Sequence, residues 1–101
     1  EAEVVNAMTR FAGIAAEGRE VIQDGNWTRL SELINENFDL RNSICQLPAA
    51  QVDMIMRARA VGASAKFAGS GGAIIGIYQS DSMFDQLQST LGLIGCDVLR
   101  V

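Results

Sequence analysis

The segment Lys66-Phe67-Ala68-Gly69-Ser70-Gly71-Gly72-Ala73 concentrates the chemistry of this chain. Glycines at 69, 71 and 72 lie between two apolar stretches, where the backbone can turn sharply and come close to another group. Successive N–H groups in such a loop can converge on an anion, and phosphate is the usual guest. Ser70 adds a hydroxyl and Lys66 a cation just ahead of the turn. A Gly-rich hairpin that binds nothing has the same composition, and on composition alone both readings stand. A phosphate loop ending in Gly-Lys-Ser/Thr is excluded, and so is a dinucleotide fingerprint, because a strand pattern and not a helix follows the glycines.

Asn37 and Arg41 form a second group near the end of a predicted helix. The Arg41 guanidinium could clamp a carboxylate with two parallel hydrogen bonds. Arg41 could equally lie on a solvated helix end, and Asn37 could serve as a C-terminal helix cap. Lys66 also fits the outward residue of an edge strand. Arg57 and Arg59 read as a solvated helix face. Trp27, Phe38, Met54, Met56, Met83 and Phe84 have the helical spacing of core residues. The chain has no histidine, which removes the commonest general base and the commonest zinc ligand. Cys45 and Cys96 match no metal or redox spacing and read as reduced cytosolic thiols. Asp39, Asp53, Asp81, Asp85 and Asp97 read as caps or surface groups, none as a base or metal ligand.

The elements that would position these residues follow from periodicity. Val4, Met8, Phe11, Ala12, Ala15, Arg19 and Ile22 predict an amphipathic helix over about 3–23. Gly25 can end it in the left-handed conformation, and Asn26 can cap a second helix. That helix carries Trp27, Leu30, Leu33, Ile34, Asn37 and Phe38 along one side. The pair should pack as an antiparallel hairpin. Residues 39–47 either extend the second helix or form a loop. Pro48 suits the first turn of a third helix, with Val52, Ile55, Met56 and Ala60 inward, Asp53 and Arg57 paired outside, and Gly62 at its end. The period then changes. Residues 63–68 and 73–78 predict two paired antiparallel strands, the second buried. Ser82-Met83-Phe84-Asp85 has capping-box character and opens a fourth helix, which Gly92 or Gly95 ends. Residues 96–101 alternate as a last strand. The order implies an α+β domain, a small and mostly antiparallel sheet covered by helices and preceded by a helical hairpin.

Composition sets the outer bounds. A chain of 101 residues suits one domain, and 49% apolar with 20% charged residues is ordinary for a soluble fold. No apolar run could cross a bilayer, and nothing at the N-terminus resembles a signal peptide. The net charge of −4 argues against nucleic acid as the main partner. The chain opens inside a helical pattern and closes on an alternating one, the look of a domain excised from a longer protein.

Residues Val61-Gly62-Ala63-Ser64-Ala65-Lys66-Phe67-Ala68-Gly69-Ser70-Gly71-Gly72-Ala73 resemble the third signature motif of the GHMP kinases. Glu36-Asn37-Phe38-Asp39-Leu40-Arg41 and the Ser-Gly-Gly-Ala form of the loop are similar to glucuronokinase-like members. The resemblance implies the C-terminal, ferredoxin-like domain of an ATP-dependent kinase acting on a sugar or sugar acid in the cytoplasm, across the whole of residues 1–101. It makes Gly69, Ser70, Gly71 and Gly72 phosphate-proximal donors, with Lys66, Asn37 and Arg41 as further substrate contacts. ATP and Mg2+ would be held mainly by a Pro-containing Gly/Ser-rich loop of an N-terminal domain, a segment this sequence lacks, so the fragment alone should bind nucleotide weakly or not at all. The missing N-terminal domain and a second copy in a homodimer are the implied partners. Ala68 departs from the usual Thr and removes one polar contact. A non-catalytic metabolite-binding module and an oligomerisation module remain the alternatives.

Overall fold

The computed structural model describes residues 2–68 and 73–99, with side chains from residue 8 onward. Its elements in chain order are α1 (Ala2–Asp24), α2 (Trp27–Ile44), α3 (Ala49–Ala60), β1 (Lys66–Phe67), β2 (Ile74–Ile75) and α4 (Asp81–Gly92). The class is α+β, as the periodicity implies, but the sheet among the described residues is a single two-stranded antiparallel pair.

The α1–α2 hairpin turns where the sequence says it should. Gly25 has φ +71°, a conformation open to glycine, and the Asn26 side chain accepts the Arg29 N–H at 3.1 Å to cap α2. The buried face of α1 differs from the expected stripe: Val21 is buried and Phe11 and Ile14 are half-buried, while Met8 and Ile22 are exposed. Trp27, expected in the core, is 56% exposed, because at the first turn of α2 it lies outside the buried cluster. Across the hairpin, Arg29 Nη2 donates to Glu17 Oε1 at 3.0 Å, and within α2 its Nη1 donates to Glu32 at 3.1 Å.

The hydrogen-bonded Arg29 guanidinium holds the Glu17 carboxyl below its ordinary value of 4.5. A carboxylate with a depressed folded pKa stabilises the folded state fully above its unfolded pKa and loses that contribution as pH falls through the folded value. Helical circular dichroism during acid titration is therefore expected to show hairpin loosening that begins below pH 4.5. Glu17→Gln should flatten that acid dependence, and an unchanged profile would assign it to another carboxylate.

Helix α2 runs on to Ile44, which settles residues 39–44 as helix and leaves 45–47 irregular. Pro48 sits one position earlier than expected, as the N-cap of α3, where its carbonyl accepts the N–H groups of Gln51 and Val52. Gly62, at φ +95°, ends α3 as expected. Ile55 and Ala58 form the buried face of α3, and Met56, expected inward, is 42% exposed.

The strand pair is shorter than its sequence pattern. Lys66 lies opposite Ile75 and Phe67 opposite Ile74. Single hydrogen bonds extend the pairing on both sides, Ser64 N–H to Ile77 O at 3.2 Å and Ala68 N–H to Ala73 O at 3.0 Å. The buried Ser64 hydroxyl accepts the Ile77 N–H at 3.0 Å. Gly76 passes so close to Ser64 that a Cβ would overlap the Ser64 carbonyl oxygen, so only glycine fits there. The second strand is not buried as expected: Ile74 is half-buried and Ile75 is 50% exposed.

Helix α4 starts at Asp81, with the Ser80 hydroxyl accepting the Met83 N–H at 3.1 Å. The cap is thus Ser80 and not Ser82. A start two residues earlier places Asp81 in the first turn, where the helix dipole favours it. Residues 96–99 form no strand, in contrast to the expected one, and residues 100–101 lie outside the described set. The core gathers Phe38, Ile55, Ala58, Ala63, Ala65, Phe67, Leu87 and Leu91, with Met54 and Met83 packed against it. No described helix is long and apolar enough to cross a membrane.

Candidate anion-binding site

A surface depression of about 400 Å3 lies where α1, α2 and β1 meet, lined by Phe11, Asn37, Arg41, Ile44, Cys45, Lys66 and Phe67. Asn37 and Arg41 sit one helical turn apart on α2 and so share a face. Lys66 arrives from β1. Three residues singled out by type and by the family resemblance, from two segments far apart in the chain, therefore border one depression. Gly69, Ser70, Gly71 and Gly72 lie outside the described residues. The hairpin that carries them is closed by the Ala68–Ala73 hydrogen bond, and Lys66 and Phe67 on its first arm belong to the depression.

A ladder of rings and guanidinium groups fixes the floor. Arg59 Cζ lies 5.2 Å from the Phe38 ring centroid. The Phe38 and Phe67 rings meet edge to face, with centroids 5.5 Å apart and an interplanar angle of 87°. Arg41 Cζ lies 5.2 Å over the Phe67 ring. Stacking engages the face of a guanidinium, and its hydrogen bonds run from the edge, so the ring beneath Arg41 sets the plane in which its donors lie.

The second arm of the support was not visible in the sequence. Asn35, unmentioned by any motif, accepts the Ala65 N–H at 3.0 Å and the Arg59 Nε–H at 3.2 Å through one side-chain oxygen. Arg59 Nη2 donates to the Asn35 carbonyl at 2.9 Å and Nη1 to Asp39 at 2.8 Å. Arg59 is thus a clamp between α3 and α2, and the solvated-face reading of it is corrected. Arg57 is likewise engaged, with Asp53 at 2.8 Å and the Thr90 carbonyl at 3.4 Å. The Asp53–Arg57 pair itself is the expected one. An Asn in a helix interior is the one available hint, since its amide competes with helix hydrogen bonds unless it has a partner elsewhere.

Cys45 is exposed at the rim and Cys96 is half-buried, and neither forms a disulfide. Among the described residues no group of three or more Cys, Asp or Glu side chains is placed to hold a metal ion. The arrangement can bind an anion through side-chain cations.

Over 76 residues the chain is 42% identical to a protein named probable glucuronokinase 2 and 38% identical to glucuronokinase 1, both from Arabidopsis thaliana. The match covers 71% of this chain but only 20% and 21% of those proteins, so the chain spans about a fifth of their length. No family model matches the chain, and no solved structure does. Over those 76 residues the chain is therefore similar to glucuronokinases, in line with the resemblance read from its sequence.

Proposed function

We propose that this chain is the C-terminal, GHMP-type domain of an ATP-dependent kinase whose substrate is a sugar acid of the glucuronate kind. The observation that carries this reading is the meeting of Arg41, Lys66 and Asn37 at one depression on the arm leading into residues 69–72. Arg41 clamps the sugar-acid carboxylate, Asn37 hydrogen-bonds a neighbouring hydroxyl, and Lys66 lends positive potential between carboxylate and phosphate. Gly69, Ser70, Gly71 and Gly72 donate backbone N–H groups to phosphate oxygens, which suits a reaction governed by positioning and charge stabilisation. ATP with Mg2+ supplies the transferred group. In this reading, which follows the family resemblance, the nucleotide and its ion are held mainly by an N-terminal domain of the longer enzyme. The full ferredoxin-like sheet, a cytoplasmic location and a homodimeric assembly belong to the same proposal.

Amide chemical shifts followed during titration with glucuronate, glucose and inorganic phosphate test it. Glucuronate should move the amides of residues 37–45 and 66–68, phosphate those of 69–72, and glucose neither. Arg41→Gln should weaken the glucuronate response about tenfold or more, the scale of one lost charge-assisted hydrogen bond, and leave the phosphate response in place. Equal responses to glucuronate and glucose, or an Arg41→Gln variant that binds glucuronate as before, would reject the carboxylate site.

A further inference from the structure

Packing accounts for only part of Phe11. It shares the partly buried stripe of Ile14 and Val21 on α1, but it lies outside the buried cluster gathered around Phe38 and Ile55. Among the described residues its ring meets no other ring and no guanidinium, whereas Phe38 and Phe67 are each engaged by both. Phe11 and Arg41 lie at similar distances along the chain from the Gly25 turn, so antiparallel packing of α1 and α2 brings them level. Phe11 accordingly borders the depression together with Asn37, Arg41, Ile44 and Lys66. Phe67, the other ring of that lining, is 3% exposed and lies beneath Arg41, so Phe11 carries the accessible aromatic surface.

The lining divides by chemistry. A carboxylate by itself needs only Arg41 and Lys66. Phe11 and Ile44 add an apolar wall, and small-molecule sites combine such walls with a few placed polar groups. A pyranose uronate matches both parts at once. With its ring substituents equatorial, the hydroxyls and the carboxylate radiate from the rim, and the axial C–H bonds form two apolar faces. Those hydrogens carry partial positive charge and settle on the negative face of an aromatic ring. An open-chain sugar acid has the same carboxylate and no such face.

We propose that Phe11 is a specificity-determining residue of the sugar-acid site, its ring stacking on the C–H face of a closed pyranose ring. The proposal rests on the sugar-acid reading of Arg41 and Lys66. Arg41 selects the acid, and Phe11 selects the closed ring over open-chain acids of equal charge. Because Phe11 comes from α1 and Arg41 from α2, the bound sugar bridges the two arms of the hairpin.

L-gulonate separates the two roles, since it is the open-chain acid formed when the aldehyde carbon of glucuronate is reduced, and it keeps the carboxylate. Binding of both acids to the 101-residue chain is followed by amide chemical shifts at neutral pH. The parent chain should prefer glucuronate by about fivefold or more, the scale of one aromatic contact. Phe11→Leu keeps an apolar side chain without a flat face. It should erase the preference by weakening glucuronate and leaving L-gulonate unchanged, while Phe11→Tyr, which retains the ring, should keep it. A preference that survives Phe11→Leu, or a Phe11→Tyr variant that behaves like Phe11→Leu, would overturn the proposal and leave the carboxylate site standing. A parent chain that binds the two acids equally through Arg41 would do the same. If glucuronate moves no amide of residues 37–45 or 66–68 in the parent chain, the sugar-acid reading itself fails, and this inference with it.

Discussion

Phe38→Ala is expected to lower the unfolding free energy by about 4 kcal/mol, the middle of the range for removing a buried aromatic ring. Phe38 is 1% exposed and sits at the centre of the buried cluster. Its loss leaves a cavity, removes the edge-to-face contact with Phe67, and strips Arg59 of the ring beneath it. Domains of this size are stabilised by only about 5–15 kcal/mol, so the variant should unfold at a much lower urea concentration with an unchanged slope. Phe38→Leu keeps most of the apolar volume and should lose roughly 1–2 kcal/mol. The effect should also reach the candidate site, because Phe67 carries Arg41 on its ring. A measured loss under 2 kcal/mol for the Ala variant would mean that the site collapses around the cavity and that the ring ladder is not a rigid support.

Asn35→Ala should cost about 3 kcal/mol. The Ala65 N–H is almost fully buried, with the residue 1% exposed, and Asn35 is the partner the structure gives it. An orphaned buried donor costs about 1–3 kcal/mol, and Arg59 loses an acceptor in the same step. Asn35→Asp keeps the accepting oxygen and adds charge opposite Arg59, so near neutral pH it should stay within about 1 kcal/mol of the parent. Urea unfolding of the two variants gives the comparison, and exchange of the Ala65 amide reports the bond itself. Equal losses in both variants would place the importance of Asn35 elsewhere than in its oxygen. Because Ala65 adjoins Lys66, the same bond sets where Lys66 stands relative to Asn37 and Arg41 on α2.

Local chemistry made much of this fold readable. Gly25, Asn26 and Gly62 each act through their own backbone or a neighbour within a turn, and each does what its residue type implies. The Asp53–Arg57 pair was legible for the same reason. What escaped the sequence depends on distant partners. Arg59 resembles any surface arginine until Asn35 and Asp39 are brought to it across 24 and 20 positions. Trp27 and Met56 keep helical spacing yet face out, because spacing gives a face and not what covers it. Ser82 has the capping-box spacing, yet it is the Ser80 hydroxyl that accepts the Met83 N–H and opens the helix. The apolar run of residues 73–78 outruns the two-residue strand β2, and the alternation of residues 96–99 forms no strand, since a strand is defined by its neighbour as much as by its own residues. At the candidate site, residue type and the family resemblance drew attention to Asn37, Arg41 and Lys66, while Asn35 and Arg59, which tie α2 to α3 and β1, had no signature of their own.

The bond between Asn35 and Ala65 also sets a timetable. Its partners are 30 positions apart, so a nascent chain exposes α2 well before the residue that anchors it to β1 has been made. At roughly 5–20 residues per second the interval is about 2–6 s. Through that time the hairpin of α1 and α2 can form by itself, but Phe38, whose ring partner Phe67 is later still in the chain, remains turned to water. During synthesis this apolar face of α2 stays open to a chaperone until Phe67 emerges to cover it.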